Sequence, residues 1–321
     1  MAKEGKKGSK LKVVLIVVVV LIIAVFALGS SGDGESDSSS AGSSSSSSAS
    51  TATVSTSEDA EDALEEVEFE EVTVVDNDYL TITLTDLDLG SSTISVDVTL
   101  VNKDESITYM VATDAGCSID GVQVDPLYAD EVAGGKTANS TITISIDDLA
   151  DAGVAFTDIY LAFHAYDSDD WSAGYVVDGE GVHLYPYGED AATTFVRESA
   201  ETDLVLVDND EVTVTVLDFD PDYFWGYGID LYIENKSSSE IMVSVDDVSI
   251  NGVMCDPFWA ASVETGLCSY ETLYWFSSTL EDDLGITDPE SEIEEIEFAL
   301  NVYDTSTFDY DVDALTVTLE P

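Results

Sequence analysis

"VDNDYLTITLTDLD" starts at Val75 and "VDNDEVTVTVLDFD" at Val207, 132 residues later. Carboxylates at that density suit two chemistries. Several oxygens converging on one point would hold a hard cation such as Ca²⁺, and two carboxyl groups facing each other across a cleft would hydrolyse a glycosidic bond. The spacing singles out neither. "DFDPDYFWG" (Asp218–Gly226) has the alternating acids of a calcium loop but places Tyr223 where that loop requires glycine. Asp and Asn side chains also cap their own backbone turns, so a "DND" between two strands needs no metal. Calcium therefore enters only as the cofactor of an alternative reading, a cation-stabilised structural spacer of the cell surface.

Other catalytic material is sparse. The chain has two histidines, His164 and His183, neither in a nucleophile or metal motif, one arginine and no Gly-rich phosphate loop. The expectation is a non-enzymatic protein, with a carboxylate-dependent envelope enzyme as a second alternative. Nucleic acid is disfavoured as a partner, because 67 acids against 9 lysines and arginines, a net charge of −58, repel a phosphate backbone. Cys255 and Cys268, 13 residues apart, stand where the first copy has Val124 and Thr137, which points to a disulfide across neighbouring strands and leaves Cys117 a buried thiol.

The duplication that begins at Val75 and Val207 tests every other candidate. A residue type that the fold needs tends to recur in both copies; a ligand-binding residue need not. Phe258-Trp259 faces Leu127-Tyr128, Trp275 faces Ile144 and Trp171 faces Phe308, so these read as core or inter-sheet plugs. "DYFWGYG" (Asp222–Gly228) differs, since the first copy has only "GSST" (Gly90–Thr93) at that connection. Tyr223, Phe224 and Trp225 are the candidate ligand-binding residues, a stacking platform for a cell-surface glycan or a knob from a protein partner. Their alternative is a loop folded back over the sandwich end.

The elements that must position these residues follow from charge and periodicity. Residues 1–12 carry five lysines against Glu4, whereas everything after them carries four basic residues against 66 acids. Between the two lies an unbroken apolar run of sixteen residues, Val13–Leu28. At ~1.5 Å per residue it spans roughly 24 Å. With the lysines cytoplasmic, residues 13–29 read as a transmembrane helix that leaves the C-terminal bulk outside, or as a signal-peptide core cleaved near Gly29. Residues 30–57 read as a Ser-rich disordered stalk, with an expected reach of roughly 30 Å. Residues 58–71 form an acidic lead-in, either a short helix or extended.

Residues 72–200 and 201–321 are the two repeats. Eight of the fourteen opening positions are identical, and Asn102-Lys103, Gly121-Val122, Asp125-Pro126 and "AFHAYD" (Ala162–Asp167) recur in order as Asn235-Lys236, Gly252-Val253, Asp256-Pro257 and "ALNVYD" (Ala299–Asp304). The period within each copy is two: Leu80, Ile82 and Leu84 alternate with threonines, as do Val212, Val214 and Val216. The phase then slips to Leu87 in one copy and Leu217 in the other, the trace of a β-bulge. Asp120-Gly121 and Asn251-Gly252 lie between β-prone residues and predict hairpins. The expected fold is all-β: two tandem immunoglobulin-like antiparallel sandwiches after the N-terminal transmembrane helix and disordered linker.

The stretch "ENKSSSEIMVSVDDVSINGVMCDPFWAASVETG" (Glu234–Gly266), with "VYD" (Val302–Asp304) after it, resembles a family of uncharacterised extracytoplasmic proteins of Gram-positive bacteria. The resemblance covers both repeats and is best in the second; the first departs with "VAGGKTANS" where the second has "VETGLCSYE". It implies an N-terminal anchor, a low-complexity linker and tandem immunoglobulin-like domains, and it assigns no chemistry. Together these readings lead to a membrane-anchored extracellular binding or adhesion module.

Overall fold

Alternation of threonine with aliphatic residues builds the opening strands of both repeats. The computed structural model describes Val67 and residues 69–321. The basic tail, the apolar run 13–29, the stalk 30–57 and most of the lead-in 58–71 lie outside the described residues, and no helix among the described residues is long and apolar enough to cross a membrane. The chain divides into the units Met1–Glu65 and Glu66–Pro321, with both repeats in the second. Val67 and Phe69 pack against the first repeat's core.

In the first repeat the strands are β1 (Val72–Asp76), β2 (Leu80–Leu89), β3 (Thr93–Asn102), β4 (Tyr109–Thr113), β5 (Ser118–Ile119), β6 (Val122–Gln123), β7 (Ala129–Val132), β8 (Thr137–Ser145), β9 (Ile159–Asp167) and β10 (Tyr175–Leu184). One layer runs β1-β2-β3-β8; in the other, β9 is flanked by β10 on one side and by β4 and β5 on the other. The second repeat supplies β11 (Leu204–Asp208), β12 (Val212–Asp220), β13 (Gly226–Asn235), β14 (Ile241–Ile250), β15 (Val253–Met254), β16 (Ala261–Val263), β17 (Cys268–Phe276), β18 (Ile296–Asp304) and β19 (Tyr310–Leu319). Its layers run β11-β12-β13-β17 and β14-β18-β19. Each repeat is thus an antiparallel two-layer sandwich with a core of its own.

The phase slip is a bulge in both copies. Leu84 pairs with Val98 and Asp86 with Asp97, leaving Thr85 as the extra residue; Val216 pairs with Leu231 and Asp218 with Asp230, leaving Leu217. Leu80, Ile82 and Leu84 are fully buried before the slip and Leu87 is buried after it, so the extra residue switches which parity faces inward. Both hairpins are present too. Asp120 and Gly121 have φ of 51° and 85°, and Asn251 and Gly252 have 50° and 76°, the left-handed pair of a tight hairpin turn.

The repeated "VDND" is a lysine-clamped turn. Asn77 Oδ1 accepts the N–H groups of Tyr79 and Leu80 at 2.8 Å, and Asn209 Oδ1 those of Glu211 and Val212 at 2.8 Å. Asp76 takes Thr81 Oγ1 at 3.1 Å and Lys103 Nζ; Asp208 takes Thr213 Oγ1 at 3.1 Å and Lys236 Nζ at 2.7 Å. The Lys103 ammonium also reaches Asn77 O, as that of Lys236 reaches Asn209 O. Recurrence of Asn102-Lys103 as Asn235-Lys236 has the same cause. The asparagines are buried and donate to Ile107 O and Val132 O in one copy, and to Ser239 O and Val263 O in the other.

The two sandwiches share a sheet. β6 of the first repeat lies parallel to β17 of the second, with Val122 opposite Cys268, and the Cys268 N–H donates to Gly121 O at 3.1 Å. Tyr232 and Cys268 belong to the first repeat's core, with Leu217 and Tyr270 packed against it. In the connecting segment Arg197 grips Asp203 through two bonds of 2.8 and 2.6 Å and lies 5.5 Å from the centre of the Tyr232 ring.

Candidate functional site

The loop 221–225, between β12 and β13, is held by backbone geometry. Asp222 N–H donates to Asp220 Oδ1 at 3.0 Å, Gly226 N–H to Tyr223 O at 2.8 Å and Ser277 N–H to Trp225 O at 2.8 Å. Gly226 is where the loop crosses β17, and a Cβ there would sit 2.2 Å from Trp275 O, so no side chain fits. At Gly228 a Cβ would meet the Tyr223 ring at 3.2 Å; the missing side chain leaves room for that ring.

On this frame the three candidate residues divide. Tyr223 is half-buried, tilted at 5.2 Å over Tyr274. Phe224 is 83% exposed and Trp225 52% exposed, their rings edge to face at 4.7 Å. Trp225 meets Phe276 at 6.3 Å, and Phe258, 43% exposed, meets Tyr274 at 6.1 Å and Phe276 at 5.8 Å. The result is an apron of six aromatic side chains at one end of the second sandwich.

Sequence reasoning singled out only the loop half of this apron. Tyr274 and Phe276 lie on the outward parity of β17, where β8 of the first repeat has the exposed residues Thr143 and Ser145. The comparison that picked out Tyr223, Phe224 and Trp225 would have found them. Phe258 was expected to plug the core. The structure corrects this: of each aligned pair, Tyr128 is buried and Trp259 packs on the second core, while Leu127 and Phe258 face solvent. Trp171 and Phe308 are likewise not plugs, being 81% and 55% exposed between β9 and β10 and between β18 and β19. Trp275 does fill the core, and its Nε1 donates to Cys255 O at 2.9 Å.

An acidic rim borders the apron. Asp230 is pushed above the ordinary carboxylate range by burial, with Asp220 and Asp218 adding to the rise and a 2.8 Å bond from Thr272 Oγ1 opposing it. Burial, the Tyr274 hydroxyl and the Asp230 and Asp220 carboxylates likewise push up the Tyr223 hydroxyl.

The expected disulfide is corrected. Cys117, Cys255 and Cys268 are all free and buried. Cys255 packs in the second repeat's core, whereas Cys268, at the start of β17, faces the first repeat and packs in its core. Burial raises the Cys268 thiol, which lies 3.6 Å from Gly121 O, and pushes the Cys117 thiol up to about 11. The histidines lie on the β9–β10 hairpin in separate pairs, His183 Nδ1 at 2.7 Å from Asp158 and His164 Nδ1 at 3.6 Å from Asp114. No group of three or more His, Cys, Asp or Glu side chains among the described residues is arranged to hold a metal ion.

No protein-family model matches the chain, and no curated protein matches it. Solved structures give faint likenesses. The periplasmic chaperone SfaE is 13% identical, with a TM-score of 0.21 over 72% of this chain and 91% of that one. A protein of unknown function from Porphyromonas gingivalis W83 is 13% identical, with a TM-score of 0.21 over 75% and 99%. Red sea bream transglutaminase is 9% identical, with a TM-score of 0.22 over 74% of this chain and 30% of that one. At these TM-scores the likenesses carry no argument about fold or function.

Proposed function

We propose that the chain is a membrane-anchored, non-enzymatic binding or adhesion module that displays two immunoglobulin-type sandwiches outside the cell and takes its ligand on the aromatic apron. The strand orders β12-β13-β17 and β14-β18-β19 support the immunoglobulin-type reading, since they set the first, second and fourth long strands in one layer and the other three in the second. The basic tail and apolar run 13–29 support the anchoring. The observation that carries the binding role is the exposure of Phe224 and Trp225 on a loop that the first repeat replaces with Gly90–Thr93, beside the exposed ring of Phe258.

The ring geometry favours a protein ligand over a glycan. Phe224 and Trp225 stand at 80° to each other, Trp225 and Phe276 at 77° and Tyr274 and Phe276 at 85°. Sugar stacking uses a ring face lying flat beneath the pyranose. Mutually perpendicular rings instead make notches that suit apolar side chains, and the acidic rim adds attraction for lysine or arginine. The test is binding of the full chain to arrays of surface proteins and of glycans, with Y223A/W225A alongside. Binding to a protein that falls at least ten-fold in the variant is expected; equal binding by both forms removes the apron from the reading.

A further inference from the structure

The joint between the repeats is made by one hairpin, and the chain builds that hairpin twice. In the first repeat the Asp120 carboxylate accepts the N–H groups of Ala155, Thr157 and Asp158 at 3.0, 2.9 and 2.8 Å, and the Val124 N–H donates to Cys117 O at 2.8 Å. In the second, Asn251 Oδ1 accepts the N–H groups of Glu294 and Glu295 at 2.8 and 3.1 Å, and the Cys255 N–H donates to Val248 O at 3.0 Å. The two turns are fastened to their sandwiches in the same way.

What they present to the outside differs. Val122 is fully buried against the second repeat, and Gln123 is bonded to it through Ser262 and Glu264. Their counterparts are open: Val253 is 52% and Met254 61% exposed, and Asn251 and Gly252 are exposed beside them. A two-residue edge strand with both side chains apolar and its outer backbone unpaired is a surface suited to strand addition.

We infer that the Asn251–Met254 hairpin docks onto the sheet edge of a β-sandwich domain in a partner protein, as the Asp120–Gln123 hairpin docks onto the second repeat. The chemistry of the receiving edge follows from the joint already built. There Val122 pairs with Cys268 and is buried in one cluster with Cys268 and Tyr232, against which Leu217 and Tyr270 pack. The partner edge must be similarly apolar. A second copy of this chain does not fit that description. Its matching positions on β8, β3 and β2 are Thr137, Asn139, Thr99 and Thr85, all polar and none buried, and two chains of net charge −58 repel.

The test supplies the known receiving edge to the free hairpin. The full chain is extended after Pro321 by a second copy of residues 187–321, which reproduces the native connection because Pro186 and Pro321 close the two repeats at the same point. Amide exchange at Val253 and Met254 is expected to slow at least ten-fold relative to the natural chain, and V253D/M254D in the extended chain is expected to restore it. Unchanged exchange in the extended chain, or slow exchange that survives V253D/M254D, overturns the proposal. Sedimentation of the natural chain is the second measurement. A monomer up to high micromolar concentration is expected, and self-association abolished by V253D/M254D would overturn the proposal by making a second copy the occupant.

Discussion

The side-chain amide of Gln123 in the first repeat bridges two backbone groups of the second: it donates to Ser262 O at 2.8 Å and accepts from the Glu264 N–H at 2.9 Å. Together with the pairing of Val122 and Cys268, this makes the joint a stretch of folded interior and not a flexible hinge. Gln123→Ala removes both bonds and leaves two backbone groups unsatisfied, at a cost of about 1–3 kcal/mol. Val122→Asp adds a buried charge. The expected outcome in urea is a lower midpoint for Q123A and, for V122D, separation of one unfolding transition into two, followed by far-ultraviolet circular dichroism, which reports both repeats. A single unshifted transition in both would show that the joint contributes nothing to stability.

Side chains of the same type carry opposite consequences in the second repeat. Trp275 is buried, so Trp275→Ala is expected to cost about 3–5 kcal/mol. Phe224 and Trp225 are exposed, so F224A/W225A is expected to change stability by less than about 1 kcal/mol while removing the two most exposed rings of the apron. Melting curves of the two variants check the contrast. A large loss of stability in F224A/W225A would mean that the loop is part of the core and not a contact surface.

The part of this architecture legible in sequence was the part governed by neighbours along the chain. The bulge at Thr85 and Leu217 showed as a change of parity in the apolar pattern, and the hairpins at Asp120-Gly121 and Asn251-Gly252 showed because left-handed turns select Asn, Asp and Gly. The joint was not legible, because it depends on which outward-facing residues meet another sandwich. Tyr232, Cys268 and Tyr270 hold the outward parity of their strands, where the first repeat has Thr99, Thr137 and Asn139. That difference marks a second interface, and without coordinates it read as half of a disulfide. The exposure of Trp171 and Phe308 was hidden for the converse reason: recurrence in both copies marks a shared position, and a shared position can lie at a hairpin tip.

The free thiols give a direct chemical test. Alkylation in denaturant without reductant is expected to place three labels on each chain, with the native protein nearly unlabelled because all three thiols are buried and burial raises their pKa values. Cys268→Ser is expected to lower stability by about 1 kcal/mol through lost packing, short of the roughly 2–5 kcal/mol that removal of a disulfide costs. One label per denatured chain, mapped to Cys117, would establish the bridge between Cys255 and Cys268 that the structure lacks.

Acidification is expected to stabilise this protein before it unfolds it. Burial raises the pKa values of Glu271, Asp125, Asp230 and Glu264. For these groups the folded state binds protons more tightly than the unfolded chain, so the penalty for burying their charge at neutral pH is relieved as pH falls through their folded pKa values. Neutralising part of the net charge of −58 acts in the same direction. Asp76, Asp208 and Asp203 behave oppositely: hydrogen bonds from Lys103, Lys236 and Arg197 lower their pKa values. Their stabilisation is complete above the unfolded value of about 3.9 and is lost as pH falls through the folded ones. The melting temperature is therefore expected to rise as pH falls from neutrality towards the unfolded carboxylate range of about 4, and to fall below that range. Glu271→Gln, which keeps a partner for the Ser269 hydroxyl, is expected to raise stability at pH 7 by about 1 kcal/mol and to flatten the rise. A melting temperature that falls steadily from pH 7.5 downward would show that the buried carboxylates carry no such penalty.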